Sequence, residues 1–339
     1  MNKQLVSAAM AFAIVVVSLV AKGCFPDIEV VAQGQVSTSV GGVLSKDTTW
    51  TAANSPYIIT STVQIPANVT LTIEPGVTVI SNVSEYSSFA NRRGNMFLIR
   101  GRVSAYGTAD RKIIFDGRGY SNFFNAYYSD ASAFVGLDHC VIRDGASLWW
   151  GGHGYFQLTN SELSNLSYYS LISYPANAIT IAYNTFTNSA GFSIGQSSPG
   201  YVYIEFNTFS GKNPSLNYTD ALIQNWACYG SLKTTLLYNS FVNMSGIVLK
   251  LPSGYGSAAM DAAQNYWGTT NTTIINSMIY DKNDDVTCAG FIDYLPILLT
   301  PNPDTPVIPE SPSVLLMMLI IVPLLAGTLS IGKKVSKVL

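Results

Sequence analysis

Five short segments built around an asparagine constrain this chain more than any other feature. Four read Ile181-Ala182-Tyr183-Asn184-Thr185-Phe186, Ile204-Glu205-Phe206-Asn207-Thr208-Phe209, Leu236-Leu237-Tyr238-Asn239-Ser240-Phe241 and Ala262-Ala263-Gln264-Asn265-Tyr266-Trp267, with a looser copy at Gln157-Leu158-Thr159-Asn160-Ser161. The asparagine-to-asparagine steps are 24, 23, 32 and 26 residues. A unit this short cannot bury its own apolar face, so self-similarity at this spacing implies stacked copies. The units alternate apolar and polar residues between turn signals, which is strand grammar rather than paired helices. The expected fold class is therefore all-β, a β-solenoid with roughly eight to ten coils over residues 55–300.

The repeat has a physical logic. A coil must bend sharply between strands, and asparagine tolerates the left-handed conformation that a tight corner requires. In register, the amides of Asn160, Asn184, Asn207, Asn239 and Asn265 are expected to form a scaffold ladder by hydrogen-bonding from coil to coil. Phe186, Phe209, Phe241 and Trp267 follow two residues later and are expected to stack inside the core. Cys140 takes the asparagine position in an earlier coil, Leu137-Asp138-His139-Cys140-Val141-Ile142. Upstream, Val69 to Ile80 alternates apolar residues with threonine around Pro75-Gly76, and Gly101 and Gly107 mark corners expected to need unusual dihedrals.

The ends of the chain address it to a membrane. Lys3 and the apolar run Leu5–Ala21 resemble a secretory signal, read as residues 1–23. Residues 24–54 are expected to form a spacer and N-terminal cap. Pro301, Pro303, Pro306, Pro309 and Pro312 make 301–313 an extended linker. Residues 314–331 carry no charge and precede Lys333, Lys334 and Lys337. That is the pattern of a transmembrane helix with a cytoplasmic basic tail at 332–339. The body is thus expected at the cell surface, with the membrane as its first partner.

Charged residues make up only 11% of the chain and the net charge is −2, so a nucleic-acid partner is excluded. Twenty tyrosines among many small polar residues suit contact with cell-surface or extracellular polysaccharide, and self-association or contact with other surface proteins is the further expectation. Cys228 and Cys288 lie in the last coils, where a disulfide would pin the solenoid end, though spacing alone does not define pairing. Asn68, Asn82, Asn165, Asn217, Asn243 and Asn271 begin sequons that permit N-glycosylation.

Residues 55–300 resemble right-handed parallel β-helix repeat proteins, among them the carbohydrate-binding and sugar-hydrolysis repeats of archaeal and bacterial surfaces. The resemblance rests on Val63-Gln64-Ile65-Pro66, Thr70 to Val77 and Gly101 to Thr108 at the opening. At the close it rests on Asn265-Tyr266-Trp267-Gly268-Thr269, Ile279-Tyr280-Asp281 and Asp284-Asp285. It implies a single-stranded right-handed helix of coils. Pro309-Glu310 ahead of the apolar run resembles archaeal sorting signals, with Ser311 where those carry an aromatic.

A glycoside hydrolase needs two carboxyls about 5–10 Å apart. Asp138, Asp144, Glu162, Glu205, Asp220 and Asp261 are scattered through the coils, and only Asp138 and Glu205 share a repeat position. Gly152-His153-Gly154 resembles the histidine turn of β-helix hydrolases, but their Asn-Thr-Asp and Arg-Ile-Lys strands are missing. No His/Cys cluster has metal-ligand spacing, so neither metal nor cofactor is expected. Trp149, Trp150, His153 and Tyr155 form the least repeat-like stretch and are the expected ligand contacts. The expected function is a non-catalytic surface-layer component or adhesin. The alternatives are a polysaccharide lyase or hydrolase on the same fold, and an accessory protein for metal delivery to an extracytoplasmic enzyme.

Overall fold

Strands of two to nine residues succeed one another from Thr38 to Asp293, and almost every pairing is parallel between one coil and the next. The computed structural model describes residues 37–308 except 84–85, 88–91, 120, 130–132, 153, 176, 198–200, 213–220, 230–232 and 255–257. The expected signal, transmembrane helix and basic tail lie outside the described residues, as do His153 and Asn217. No helix among the described residues is long and apolar enough to cross a membrane.

The strands line up in three rails. Rail one includes Thr78–Ser81, Ile113–Asp116, Cys140–Gly145, Glu162–Leu166, Thr185–Ser189, Thr208–Lys212 and Ser240–Val242. Rail two includes Asn95–Ile99, Asn122–Ser129, Trp149–Gly152, Ser170–Ser173, Phe192–Ser197, Ala221–Tyr229, Ile247–Lys250 and Ile279–Tyr280. Rail three is a separate ten-stranded sheet from Thr48–Trp50 to Ile292–Asp293, one strand per coil. Rails one and two merge into a 17-stranded sheet because Thr38–Val43 and Tyr57–Ile65 run across both. The chain is thus all-β and solenoid-like. Its one described α-helix, α1 (Thr272–Asn276), is capped by Asn271, whose side chain accepts from the N–H groups of Thr273 and Ile274.

Strand alternation sends every second side chain inward. Phe186, Phe209, Phe241 and Trp267 lie buried, with centroid separations of 4.6, 5.3 and 5.2 Å along the row. Beside them runs the amide ladder. Asn184 Nδ2 donates to Asn207 Oδ1 at 3.0 Å, Asn207 Nδ2 to Asn239 Oδ1 at 3.0 Å, and Asn239 Nδ2 to Asn265 Oδ1 at 3.1 Å. Each acceptor also takes the backbone N–H of the preceding ladder residue, at 3.0, 2.9 and 2.7 Å.

Several expectations are corrected. Asn160 is not in the ladder. Its place is taken by Ser161, whose N–H donates to Asn184 Oδ1 and whose Oγ accepts from Cys140 N–H. The ladder asparagines are not the left-handed residues either. The positive φ falls one position earlier, at His139, Asn160, Tyr183, Phe206, Tyr238 and Gln264. Gly101 and Gly107 do not have positive φ; a Cβ there would collide with the carbonyls of Pro66 and Val69, or of His139. Paired strand begins at Thr38, inside the segment expected as spacer and N-terminal cap.

The proline-rich segment up to Pro306 is not a free linker. It folds back along the corner between rails three and one. Leu298 N–H donates to Asn265 O, Asn302 Nδ2 to Tyr238 O, and Thr208 Oγ1 to Pro306 O.

Candidate functional site

The left-handed residues form a row on the outside of one corner, because each stands between a rail-three strand and the ladder residue. From coil to coil the row reads His139, Asn160, Tyr183, Phe206, Tyr238, Gln264, with φ between 49° and 59°. Asparagine visits this region readily, but bulky side chains there are outliers that cost on the order of 1–2 kcal/mol each. Three consecutive aromatics at such positions therefore need compensation. Stacking supplies part of it. Tyr183 and Phe206 lie 5.0 Å apart at 8°, Phe206 and Tyr238 5.0 Å apart at 16°. Such pairs contribute about 0.5–1.5 kcal/mol beyond area burial.

Stacking also decides which ring faces are available. Phe206 is covered on both sides by its neighbours. Tyr183, 40% exposed, ends the stack, and the next residue in its row is the exposed Asn160. Beyond the open face of Tyr183 sits a polar cluster centred on Asp138. Its Oδ1 accepts from Thr159 Oγ1 at 2.6 Å and Asn160 Nδ2 at 2.7 Å, and its Oδ2 lies 2.6 Å from His139 Nδ1. Burial by itself would raise the Asp138 pKa. Hydrogen bonds from Thr159, Asn160 and His139, with the histidine charge, outweigh it and hold the carboxyl below the usual aspartate range. The corner thus offers an aromatic face beside an ionised acceptor, an amide and an imidazole.

At the other end of the stack the folded-back segment forms one wall of an open groove of about 490 Å³. Phe206 and Tyr238 face Leu298 to Asp304 across it.

The expected ligand contacts fare unevenly. Trp150 is only 2% exposed and packs 5.6 Å from Phe156, so it belongs to the core and not to a contact surface. Its Nε1 is buried without a partner. Trp149, next along the strand, points outward by alternation and is half-buried, in register with Asn125 and Leu171. Tyr155 is 49% exposed on the outer face of rail three, in register with Phe134. Phe134 in turn carries the Arg102 guanidinium 4.6 Å above its ring.

Cys288 is a buried free thiol near Ser253 Oγ and does not form the expected bridge; the Cys228 side chain lies outside the described residues. Asn68, Asn82, Asn165, Asn243 and Asn271 are all exposed. Asn165 joins a second outer row, donating to Asp144 Oδ1 at 2.9 Å and accepting from Asn188 Nδ2 at 3.1 Å.

Asp138 and Glu205, the two carboxyls that share a repeat position, do not form a hydrolytic pair. They share one column of rail three through Thr159 and Ala182. That puts them three rungs apart, about 14 Å at ~4.8 Å per rung, beyond the usual range for either stereochemical course. Among the described residues no group of three His, Cys, Asp or Glu side chains is arranged to hold a metal. The Asp138–His139–Tyr183 corner was not found from the sequence, although an aromatic before each central asparagine was its visible signal. No protein-family model, curated protein or solved structure matches the chain.

Proposed function

We propose that the chain is a membrane-anchored extracellular protein of the right-handed parallel β-helix repeat family, and that it binds glycan without cleaving it. It serves as a surface-layer component or adhesin. The observation that carries this is the corner site, where the open face of Tyr183 lies one rung from Asn160, and Asn160 in turn donates to Asp138, which with His139 stands one rung further on. A sugar presents an apolar C–H face and a rim of hydroxyls; an aromatic face with acceptors and donors at its edge complements both. Right-handedness is supported by the near-universal hand of parallel strand crossovers. Anchoring is supported by the uncharged run 314–331 and its lysine flank.

A glycan array probed with the full chain in detergent tests the reading. Oligosaccharides should be retained, Tyr183→Ala should lose about tenfold or more, and no reducing or unsaturated ends should appear. Product release abolished by His139→Ala would overturn it in favour of an enzyme. In intact cells, added protease should remove the body and spare a tag at Leu339, and protection of the body would refute the surface placement.

A further inference from the structure

Glu205 is the unexplained group at this corner. It sits on the outer face of rail three, directly before Phe206, and its carbonyl accepts the N–H of Tyr183. Its cross-strand neighbours are Ala182 and Leu237, both apolar. No donor among the described residues reaches its half-buried carboxylate. Asp138, in the same column, has three partners. A carboxylate set between apolar neighbours loses hydration without compensation, and such groups call for a reason.

Apart from His139, which is paired with Asp138, the surroundings carry carboxylates and no basic side chain. The column reads Tyr106, Asp138, Thr159, Ala182, Glu205, Leu237, and the corner row beside it His139, Asn160, Tyr183, Phe206, Tyr238, Gln264. Neither contains lysine or arginine. The groove wall from Leu298 to Asp304 adds one more carboxylate and no cation. Tyr203, two residues before Glu205 on the same face, and Phe206 place aromatic rings on either side of it along the chain.

We propose that Glu205 makes this corner selective for glycans bearing free amino groups. The ammonium of an amino sugar replaces the missing donor at the Glu205 carboxylate. The Tyr203 ring on the same face of the strand favours a cation further, and the Asp138 and Asp304 carboxylates lie along the same strip. A polyuronate is repelled by the same charges. This inference rests on the glycan-binding reading above and names the ligand class for the same corner row, with an oligosaccharide that stacks on Tyr183 running past its edge to Glu205, one rung on the side away from Asn160.

The test is calorimetric titration of the full chain in detergent with three oligomers of equal length: a glucosamine oligomer, its fully N-acetylated counterpart and an oligogalacturonate. The glucosamine oligomer should bind about tenfold more tightly than the N-acetylated one, as expected for one charge-assisted contact, and the uronate not at all. The isosteric Glu205→Gln should reduce that preference to about threefold or less with an unchanged melting temperature. Equal binding of the acetylated and free-amine oligomers overturns amine selection while leaving glycan binding intact. A preference that survives Glu205→Gln overturns the role of Glu205. Tighter binding of the uronate refutes the charge argument, and binding of none of the three overturns both proposals.

Discussion

Replacing Asn207 tests the ladder at its middle. The side chain is fully buried and makes five hydrogen bonds. Its Oδ1 accepts from Asn184 N–H and Nδ2, both at 3.0 Å, and its Nδ2 donates to Ile181 O and Glu205 O at 2.9 Å and to Asn239 Oδ1 at 3.0 Å. In Asn207→Ala the Asn184 N–H loses the acceptor it has in the folded chain. An orphaned buried donor costs about 1–3 kcal/mol, and each further bond lost about 0.5–1.5 kcal/mol. A destabilisation of at least about 3 kcal/mol follows, or roughly 5 °C or more in melting temperature for a chain of this size. Asn207→Asp adds a diagnostic. It keeps the acceptor but points a second oxygen at three carbonyl oxygens. The buried carboxyl is then favoured in its protonated form, so its folded pKa lies above the unfolded value. Stability is retained at low pH and lost as pH rises through the folded pKa. Thermal melts of both variants from pH 4 to 8, with Asn160→Ala as control, decide the matter. Asn160 is exposed and makes one side-chain bond, to Asp138, at φ 49°, so alanine there should cost about 1–2 kcal/mol, well below the ladder residue. Equal shifts for Asn207→Ala and Asn160→Ala, or a pH-independent Asn207→Asp, would refute the ladder as a source of stability.

Phe209→Ala, which opens the middle of the inner stack, should cost about 3–5 kcal/mol by chemical denaturation; a cost under about 1 kcal/mol would contradict its inward placement. Tyr183→Gly should separate binding from folding. Relief of left-handed strain and loss of one stacking pair nearly cancel, so stability should change by about 1 kcal/mol or less while oligosaccharide binding falls. Burial pushes the Cys140 thiol up to about 12. Alkylation followed by mass mapping should therefore find Cys140 unmodified at pH 8 in the folded chain and labelled after denaturation.

Periodicity told much of this story in advance. The spacing of the asparagines and of the aromatics two residues on was sufficient to indicate stacked coils, inward rings and a shared column for Asp138 and Glu205. Alternation along a strand depends only on local geometry, so it survives in the sequence. Register at the corners does not. Thr159-Asn160-Ser161 offers two adjacent polar residues for one ladder position. Pairing of Glu162 with Thr185 is what selects Ser161 and turns Asn160 outward. Trp149 and Trp150 pose the same choice, and register with Ile172 sends Trp150 into the core. The sign of φ was hidden for a similar reason. Asparagine's tolerance of the left-handed region suggested that the ladder residues would adopt it, yet the bend is taken one residue earlier, where tyrosine and phenylalanine stand. That one-residue offset brings Tyr183, Asn160, His139 and Asp138 onto one surface. The tertiary structure alone decided it, because the strain on an aromatic at positive φ is offset by a stacking partner some 23 or 32 residues away along the chain.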